Sequence, residues 1–294
     1  MAELLKGAPI AKEQYAEFKK RSEELISRGI VPQIKIIIAT DDPAVETYTS
    51  MIIKNCGRAG IKADTERFPE SADTACIINA VKSNNDDSKI HGQIVMLPMW
   101  KQIDEKKVLS SVSTLKDIDG VNPLNAGKTV LGEDSFTPNT AQACKDILEK
   151  SGIQISGKHV VIIGRSNIVG KPLANMLIQK GVDATVTLCH SRTLKLKEIC
   201  RSADILIAAI GSPHFITAEY VNSNQVIVDV GMNEIKDQSG SPVLVGDVDF
   251  ENVKDIVKAI TPVPGGVSPL THTALIKNIF RAVDYTLNEQ RDIN

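Results

Sequence analysis

The sequence predicts an α/β protein of two domains, each built on a mainly parallel sheet. Strand and helix patterns alternate along both halves of the chain. An apolar strand at 160–163 runs through a glycine turn into a helix, which is typical of parallel sheets. The length of 294 residues is the size at which a chain divides into two hydrophobic cores. These three observations carry the prediction.

Apolar periodicity and the glycines that end helices define the elements of the first half. A helix containing Tyr15 and Leu25 ends at Gly29. The elements predicted after it are strands at 34–40 and 90–97 and helices at 44–59, 72–84 and 104–112. Such alternation favours parallel strands joined by right-handed crossovers.

The second half repeats the alternation. A helix at 139–150 leads into it, and its predicted strands are 160–163, 184–189, 204–210 and 225–230. A last helix at 273–287 follows a loop rich in proline and glycine, and we expect it to pack on the first domain. The predicted division is therefore residues 1–140 plus 272–294 for one domain and residues 141–271 for the other.

Composition narrows the class of protein. A formal charge of −2 and 42% hydrophobic residues indicate neither a nucleic-acid partner nor a membrane partner. The five cysteines are scattered, with no Cys-x-x-Cys pair, so we expect reduced thiols and no metal site. No signal-peptide pattern begins the sequence, which favours a cytoplasmic protein.

The segment VVIIGRSNIVGKP is the most informative stretch of the chain. A strand that turns through glycine into a helix directs free backbone N–H groups at one point, which suits a phosphate. The spacing is Gly-x-Ser-x-x-x-Gly, so a plain strand-to-helix turn is the alternative interpretation. The candidate cofactor residues here are Gly164, Arg165, Ser166, Ile168, Val169 and Gly170.

The next strand ends in a second candidate segment, His190, Ser191, Arg192 and Thr193. In dinucleotide-binding folds this strand end meets the adenosine ribose, where an acid grips the 2′-hydroxyl of NAD. No acid stands in this segment, whereas Arg192 and Arg165 could pair with the 2′-phosphate of NADP. The sequence therefore predicts a Rossmann-like domain that prefers NADP. The alternative for Arg192 is a solvated loop charge.

Several segments together resemble one enzyme family. KGAPIA, KDIDGVNPLNAG, GRSNIVGKP, VIVDVGMN, LVGDVDF and TPVPGGVSPLTHTAL follow one another in the order found in methylenetetrahydrofolate dehydrogenase/cyclohydrolases. The resemblance implies two α/β domains with an active-site cleft between them, no metal, and a homodimer. It also implies oxidation of 5,10-methylenetetrahydrofolate by hydride transfer to NADP, followed by hydrolysis of the methenyl product to 10-formyltetrahydrofolate.

The resemblance also implies which residues meet the folate. Tyr48 matches the tyrosine that stacks on the folate, and Asp119 matches the aspartate that binds the pterin. Pro264, Gly265 and Gly266 match the loop that approaches both rings. Without the resemblance, Tyr48 would be a half-buried helix aromatic, Asp119 a turn residue before a glycine, and the loop a plain connection.

Two departures fall at the family's catalytic positions. Ile52 stands four residues after Tyr48, where the family has its lysine, and Met96 stands where the family has glutamine. Lys54 lies six residues after Tyr48, about 240° round a helix of about 3.6 residues per turn, and we expect it to point away. A third departure is SFTPNT at 135–140, in place of the family's PCTPxG.

The departures at Ile52 and Met96 are expected to affect hydride transfer and hydrolysis differently. Hydride transfer needs mainly the orientation of two flat rings, because the folate nitrogens share the positive charge that develops. Hydrolysis of the methenyl group needs a positioned acid or base, which neither Ile52 nor Met96 supplies. We therefore expect an NADP-dependent methylenetetrahydrofolate dehydrogenase whose cyclohydrolase activity is lost or weak. The alternatives are a fully bifunctional enzyme, a degenerate nucleotide-binding protein without turnover, and a pocket shifted to another one-carbon carrier.

Overall fold

The computed structural model describes residues 2–237 and 239–293. Its strands are β1 (Glu3–Leu4), β2 (Gln33–Ile38), β3 (Lys62–Arg67), β4 (Gly92–Val95), β5 (His159–Ile163), β6 (Thr185–Cys189), β7 (Ile205–Ala208), β8 (Val226–Asp229), β9 (Asn233–Lys236), β10 (Pro242–Val245) and β11 (Ala259–Ile260). Its helices are α1 (Gly7–Ser27), α2 (Pro43–Arg58), α3 (Thr74–Asp86), α4 (Glu105–Ser111), α5 (Pro123–Leu131), α6 (Asn139–Lys150), α7 (Gly170–Leu177), α8 (Leu196–Arg201), α9 (Phe250–Val253) and α10 (Ser268–Ile293). No helix of the described segments has the length and apolar character that crossing a bilayer requires.

The chain forms two compact units. The first comprises Met1–Lys12 and Pro138–Thr271, and the second comprises Glu13–Thr137 and His272–Asn294. They are here called the nucleotide unit and the folate unit, after the ligands that the family resemblance implies. The predicted division placed residues 1–12 with the folate unit. In the structure β1 pairs with β11 in parallel, so the first strand joins the sheet of the nucleotide unit.

The nucleotide unit contains a six-stranded parallel sheet in the order β1-β11-β8-β7-β5-β6. Strand β5 shows why its sequence is continuously apolar. Val160 and Ile162 enter one buried cluster, whereas Val161 and Ile163 enter another, so the strand is covered on both faces. Strands β9 and β10 form a separate antiparallel hairpin.

The folate unit contains a three-stranded parallel sheet in the order β3-β2-β4. Strand β2 is central, and its Ile34 and Ile36 are fully buried. Helix α2 starts where Asp42 accepts the N–H of Ala44 at 2.8 Å, with Pro43 in the first turn. This cap fixes the start of the helix that carries Tyr48 and Ile52.

The predicted α/β architecture with mainly parallel sheets is confirmed. Some elements carried no detectable sequence signal: β1 and β11 are two residues long, and β3 is largely polar. Helix α5 and the β9–β10 hairpin were also not predicted. The last helix begins at Ser268 rather than at residue 273.

Candidate active site

The two segments predicted to bind the dinucleotide lie side by side. Strands β5 and β6 are parallel neighbours, with Ile163 opposite Cys189 at their carboxyl ends. The N–H of Gly164 donates to the Cys189 carbonyl at 2.9 Å, so the glycine turn leaves the sheet beside the His190 segment. Ligands of parallel α/β sheets bind outside this edge. The structure thus brings Arg165 and Arg192 to the ends of adjacent strands.

Both glycines of the turn are required by its shape. Gly164 has a φ of +126°, and a Cβ on it would lie 2.0 Å from the Ala209 carbonyl oxygen. A Cβ on Gly170 would lie 1.9 Å from the Gly164 carbonyl oxygen. The turn therefore folds tightly back on itself before α7 begins. A dinucleotide pyrophosphate needs this close backbone approach.

The polar groups of this edge also fit a dinucleotide. The Ser166 hydroxyl accepts the Val169 N–H at 3.1 Å and caps the turn, while the Ile168 N–H donates to no described atom. The N–H of His190 donates to Thr193 Oγ1 at 2.9 Å, so that segment holds its own shape. Within the same segment, the Ser191 and Arg192 side chains are exposed.

Two buried aspartates, Asp229 and Asp247, hold the backbone that follows β7, the strand beside β5 in the sheet. Three consecutive N–H groups after β7 donate to the Asp247 carboxylate at 2.6, 3.0 and 2.9 Å: those of Ile210, Gly211 and Ser212. Asp229, at the end of β8, accepts the Asp247 N–H at 3.0 Å. Burial raises the pKa of Asp229 to about 7. Sequence reasoning gave these aspartates no role, although Asp229 ends an apolar run and Asp247 directly follows a glycine.

On the folate unit, Tyr48 and Asp119 lie near each other. Tyr48 is half-buried on α2 and packs against the apolar cluster of the small sheet. Burial raises the pKa of Tyr48 above its ordinary value, and the Asp119 charge raises it further. The tyrosine therefore stays a neutral phenol beside a carboxylate, a combination suited to stacking and accepting N–H donors.

Asp119 sits in a turn that is held by hydrogen bonds at Asp117 and at Ile118. The Asp117 carboxylate accepts the N–H groups of Val121 at 3.2 Å and Asn122 at 2.9 Å, and the Asn125 side-chain amide at 2.8 Å. Burial raises the pKa of Asp117 to about 6. Between the two aspartates, the Ile118 carbonyl accepts the side-chain amide of Asn278 on α10 at 3.0 Å. The sequence singled out Asp119 but not Asp117, which orders its turn.

Ile52 and Met96 belong to the same apolar cluster. They are 1% and 4% exposed, and the cluster also holds Ile38 and Ile94 of the adjacent strands. Lys54 is exposed. No group of three or more histidine, cysteine, aspartate or glutamate side chains that could hold a metal occurs in the part of the chain described.

The loop Pro264–Gly266 belongs to the nucleotide unit, whereas Tyr48 and Asp119 belong to the folate unit. Gly7, in the KGAPIA segment, holds this loop. Its N–H donates to the Gly265 carbonyl at 2.9 Å, and a Cβ on Gly7 would lie 2.0 Å from the Gly266 carbonyl oxygen.

The Gly7→Ala variant is expected to displace this loop. Because the added methyl meets a backbone oxygen rather than a flexible side chain, we expect kcat/KM for the folate substrate that the resemblance implies to fall at least about tenfold. The matched control is Gly127→Ala on α5, where no atom outside the local helix backbone lies within 4 Å of the added methyl. Steady-state kinetics of both variants checks this. An unchanged kcat/KM in Gly7→Ala would contradict the assigned role of the loop contact.

Comparison with known proteins agrees with this geometry. Residues 5–119 match the model of the tetrahydrofolate dehydrogenase/cyclohydrolase catalytic domain, and residues 138–287 match its NAD(P)-binding domain. The chain belongs to the tetrahydrofolate dehydrogenase/cyclohydrolase family.

Relatives match the chain over nearly its whole length. It is 43% identical over 281 residues to the bifunctional protein FolD of Moorella thermoacetica, covering 96% of this chain and 98% of the relative. The solved FolD structure of Campylobacter jejuni aligns with a TM-score of 0.91 at 35% identity, covering 97% of this chain and 99% of that one. A 5,10-methylenetetrahydrofolate dehydrogenase from the silkworm Bombyx mori aligns with a TM-score of 0.90 at 36% identity, covering 98% and 100%. The Trypanosoma brucei FolD, solved with NADP cofactor and inhibitor, aligns with a TM-score of 0.90 at 31% identity, covering 97% and 98%.

Proposed function

We propose that this protein oxidises 5,10-methylenetetrahydrofolate to 5,10-methenyltetrahydrofolate by hydride transfer to NADP, and that its hydrolysis of the methenyl product is lost or weak. The observation that carries the second part is the burial of Ile52 and Met96 in one apolar cluster beside Tyr48. The first part is supported by family membership together with the glycine turn and the Tyr48–Asp119 pair.

The proposed cofactor site is the carboxyl edge of β5 and β6. Gly164 and Gly170 allow the backbone to approach the pyrophosphate, and Arg165 and Arg192 would pair with the 2′-phosphate. When bound, the nicotinamide supplies the hydride acceptor. Support for NADP comes from these arginines and from the Trypanosoma relative, which was solved with that cofactor.

On the folate unit, Asp119 would accept N–H donors of the pterin, and Tyr48 would stack on its face. Both residues sit on well-ordered supports, α2 for Tyr48 and the Asp117 network for Asp119. These residues bind and orient the substrate. The positive charge that forms on oxidation is shared by the two folate nitrogens, so this step needs no proton donor from the chain.

Hydrolysis of the methenyl group requires proton transfer, unlike the hydride-transfer step. Water must lose a proton and a ring nitrogen must gain one, which a positioned acid or base accelerates by typically 10²–10⁴-fold. The side chains of Ile52 and Met96 carry no proton that could be transferred at neutral pH. Their joint replacement is internally consistent, because an apolar pair leaves neither partner buried without a hydrogen bond.

The test measures both reactions on one preparation. With methylenetetrahydrofolate and NADP, we expect methenyl product to accumulate, while its decay stays near the rate in buffer alone. Decay far above that rate would overturn the loss of hydrolysis. Absence of NADP reduction would overturn the dehydrogenase assignment and favour the non-catalytic alternative, in which calorimetry would show NADP binding without folate binding.

A fully bifunctional enzyme is the second candidate. Its support is that the relatives sharing 40–43% identity over 95–96% of this chain are named bifunctional FolD proteins. Another group of the folate unit would then have to move the proton. The resemblance further suggests a homodimer in the cytoplasm, which light scattering and cell fractionation would check.

The Arg192→Gln variant tests the cofactor preference. Removing a charge-assisted contact to the 2′-phosphate should raise the KM for NADP about tenfold, because a hydrogen bond to a charged group contributes about 1.5 kcal/mol. The KM for NAD, which lacks that phosphate, should not change. Lys180→Gln, which removes another exposed charge of the same unit, is the control. Equal loss for both cofactors would contradict the assignment.

A further inference from the structure

A pocket of about 560 Å³ opens on the small sheet of the folate unit. It lies where β2 and β3 begin and where the chain enters β4, so it occupies the amino edge of the sheet. Met96 and the Asp119 turn follow the carboxyl ends of these strands. The pocket is therefore separate from Tyr48 and Asp119. Its lining residues include Lys62, Lys89 and His91.

The ionisable side chains that line the pocket are all basic. Its lining contains two lysines and a histidine and no aspartate or glutamate. Lys62 pairs with Asp64 at 3.2 Å, whereas Lys89 is exposed and its ammonium pairs with no acid of the described chain. Behind the pocket, the charge of the buried Lys116 acts on His91. Such a surface attracts an anion.

His91 supplies a directed hydrogen-bond donor. Its side chain is only 5% exposed, and its Nδ1 accepts the Gln33 N–H at 3.2 Å. This bond fixes the neutral ring with its proton on Nε2. Burial lowers the pKa of His91; a hydrogen bond with the Gln33 backbone opposes this shift, and the Lys116 charge adds a smaller lowering. The Nε2–H group donates to no described atom, so it is available to an acceptor in the pocket.

One wall of the pocket is apolar, formed by Ile30, Val31 and Leu287. Val31 is 50% exposed, so its side chain is open to a molecule in the pocket. We propose that this pocket binds a small organic anion. Its carboxylate or phosphate accepts the His91 Nε2–H and pairs with Lys89, and its apolar body packs on Ile30, Val31 and Leu287.

The experiment is an NMR titration of the full chain with three probes: isovalerate, its neutral amide isovaleramide, and inorganic phosphate. We expect isovalerate to shift the His91 ring signals and the methyl signals of Val31 and Leu287, and isovaleramide to leave them unchanged. Lys89→Met should weaken isovalerate binding about fivefold, as loss of one exposed ion pair predicts. Lys106→Met, which removes an exposed charge on α4, should leave it unchanged.

Each other outcome overturns a stated part of the proposal. Equal shifts with isovalerate and isovaleramide would show that charge is not recognised. Phosphate binding with no response to isovalerate would remove the apolar body from the ligand. Equal effects of Lys89→Met and Lys106→Met would show general screening rather than a site. A His91→Phe variant should weaken binding about tenfold, and Lys89→Met remains decisive if that variant does not fold.

Discussion

The double variant Ile52→Lys/Met96→Gln is expected to hydrolyse 5,10-methenyltetrahydrofolate about 10²–10⁴-fold faster than the parent chain. Both positions lie in the apolar cluster against which Tyr48 packs, so the new lysine and glutamine would both enter that cluster. Burial lowers the pKa of a lysine, which brings its proton into the range useful for transfer at neutral pH. The measurement is the decay of methenyl absorbance, corrected for decay in buffer.

The single variants make this experiment specific. Ile52→Lys alone should be less stable than the double variant, because its ammonium would lack the amide partner in an apolar cluster. Lys54→Met should leave both reactions unchanged, since that side chain is exposed. Dehydrogenase activity of the double variant reports that it is folded. A folded double variant without faster hydrolysis would contradict the role that we assign to these two positions.

The Asp119→Asn variant is expected to lower kcat/KM of the dehydrogenase reaction about 10²–10³-fold. An ionised carboxylate accepts two N–H donors, whereas an amide accepts on one side and opposes a donor on the other. Charge-assisted hydrogen bonds contribute about 1.5–3 kcal/mol each, and the asparagine opposes one donor besides losing the charge. Stopped-flow or steady-state kinetics with methylenetetrahydrofolate measures the loss.

Two further measurements separate binding from misfolding in Asp119→Asn. The Kd for NADP should stay unchanged, because the proposed cofactor residues belong to the other unit. Asp86→Asn, at the exposed end of α3, should retain full activity. A wild-type kcat/KM in Asp119→Asn would remove this residue from the proposed pterin site. A lowered affinity for NADP would point to a wider disturbance of the fold.

Local patterns explain how much of this fold could be predicted. Residues 160–163 of strand β5 form an unbroken apolar run because they are buried on both faces of the sheet, so the sequence alone identified this strand. By contrast, β1 and β11 have two residues each and carry no periodicity, and their pairing joins residues 3–4 to residues 259–260. That pairing decides that the first twelve residues belong to the nucleotide unit, which no local signal could show.

The candidate site, like the fold, could be predicted from the sequence only in part. The spacing of Gly164 and Gly170 was visible in the sequence, and the structure adds that a Cβ at either position would collide with backbone oxygen. The contact of Gly7 with the Gly266 carbonyl was not predictable, because it joins segments about 260 residues apart in the sequence.

The sequence by itself determined the chemistry present at each position. It showed an aspartate at 119, isoleucine and methionine at 52 and 96, and arginines beside the glycine turn. Only the tertiary structure decided which of these side chains share a space. It placed Ile52 and Met96 in one buried apolar cluster, and it assigned to Asp117 the N–H groups that order the Asp119 turn. The reason is physical: residue type fixes what a group can donate, accept or bury, whereas packing between distant segments fixes its neighbours and its access to water.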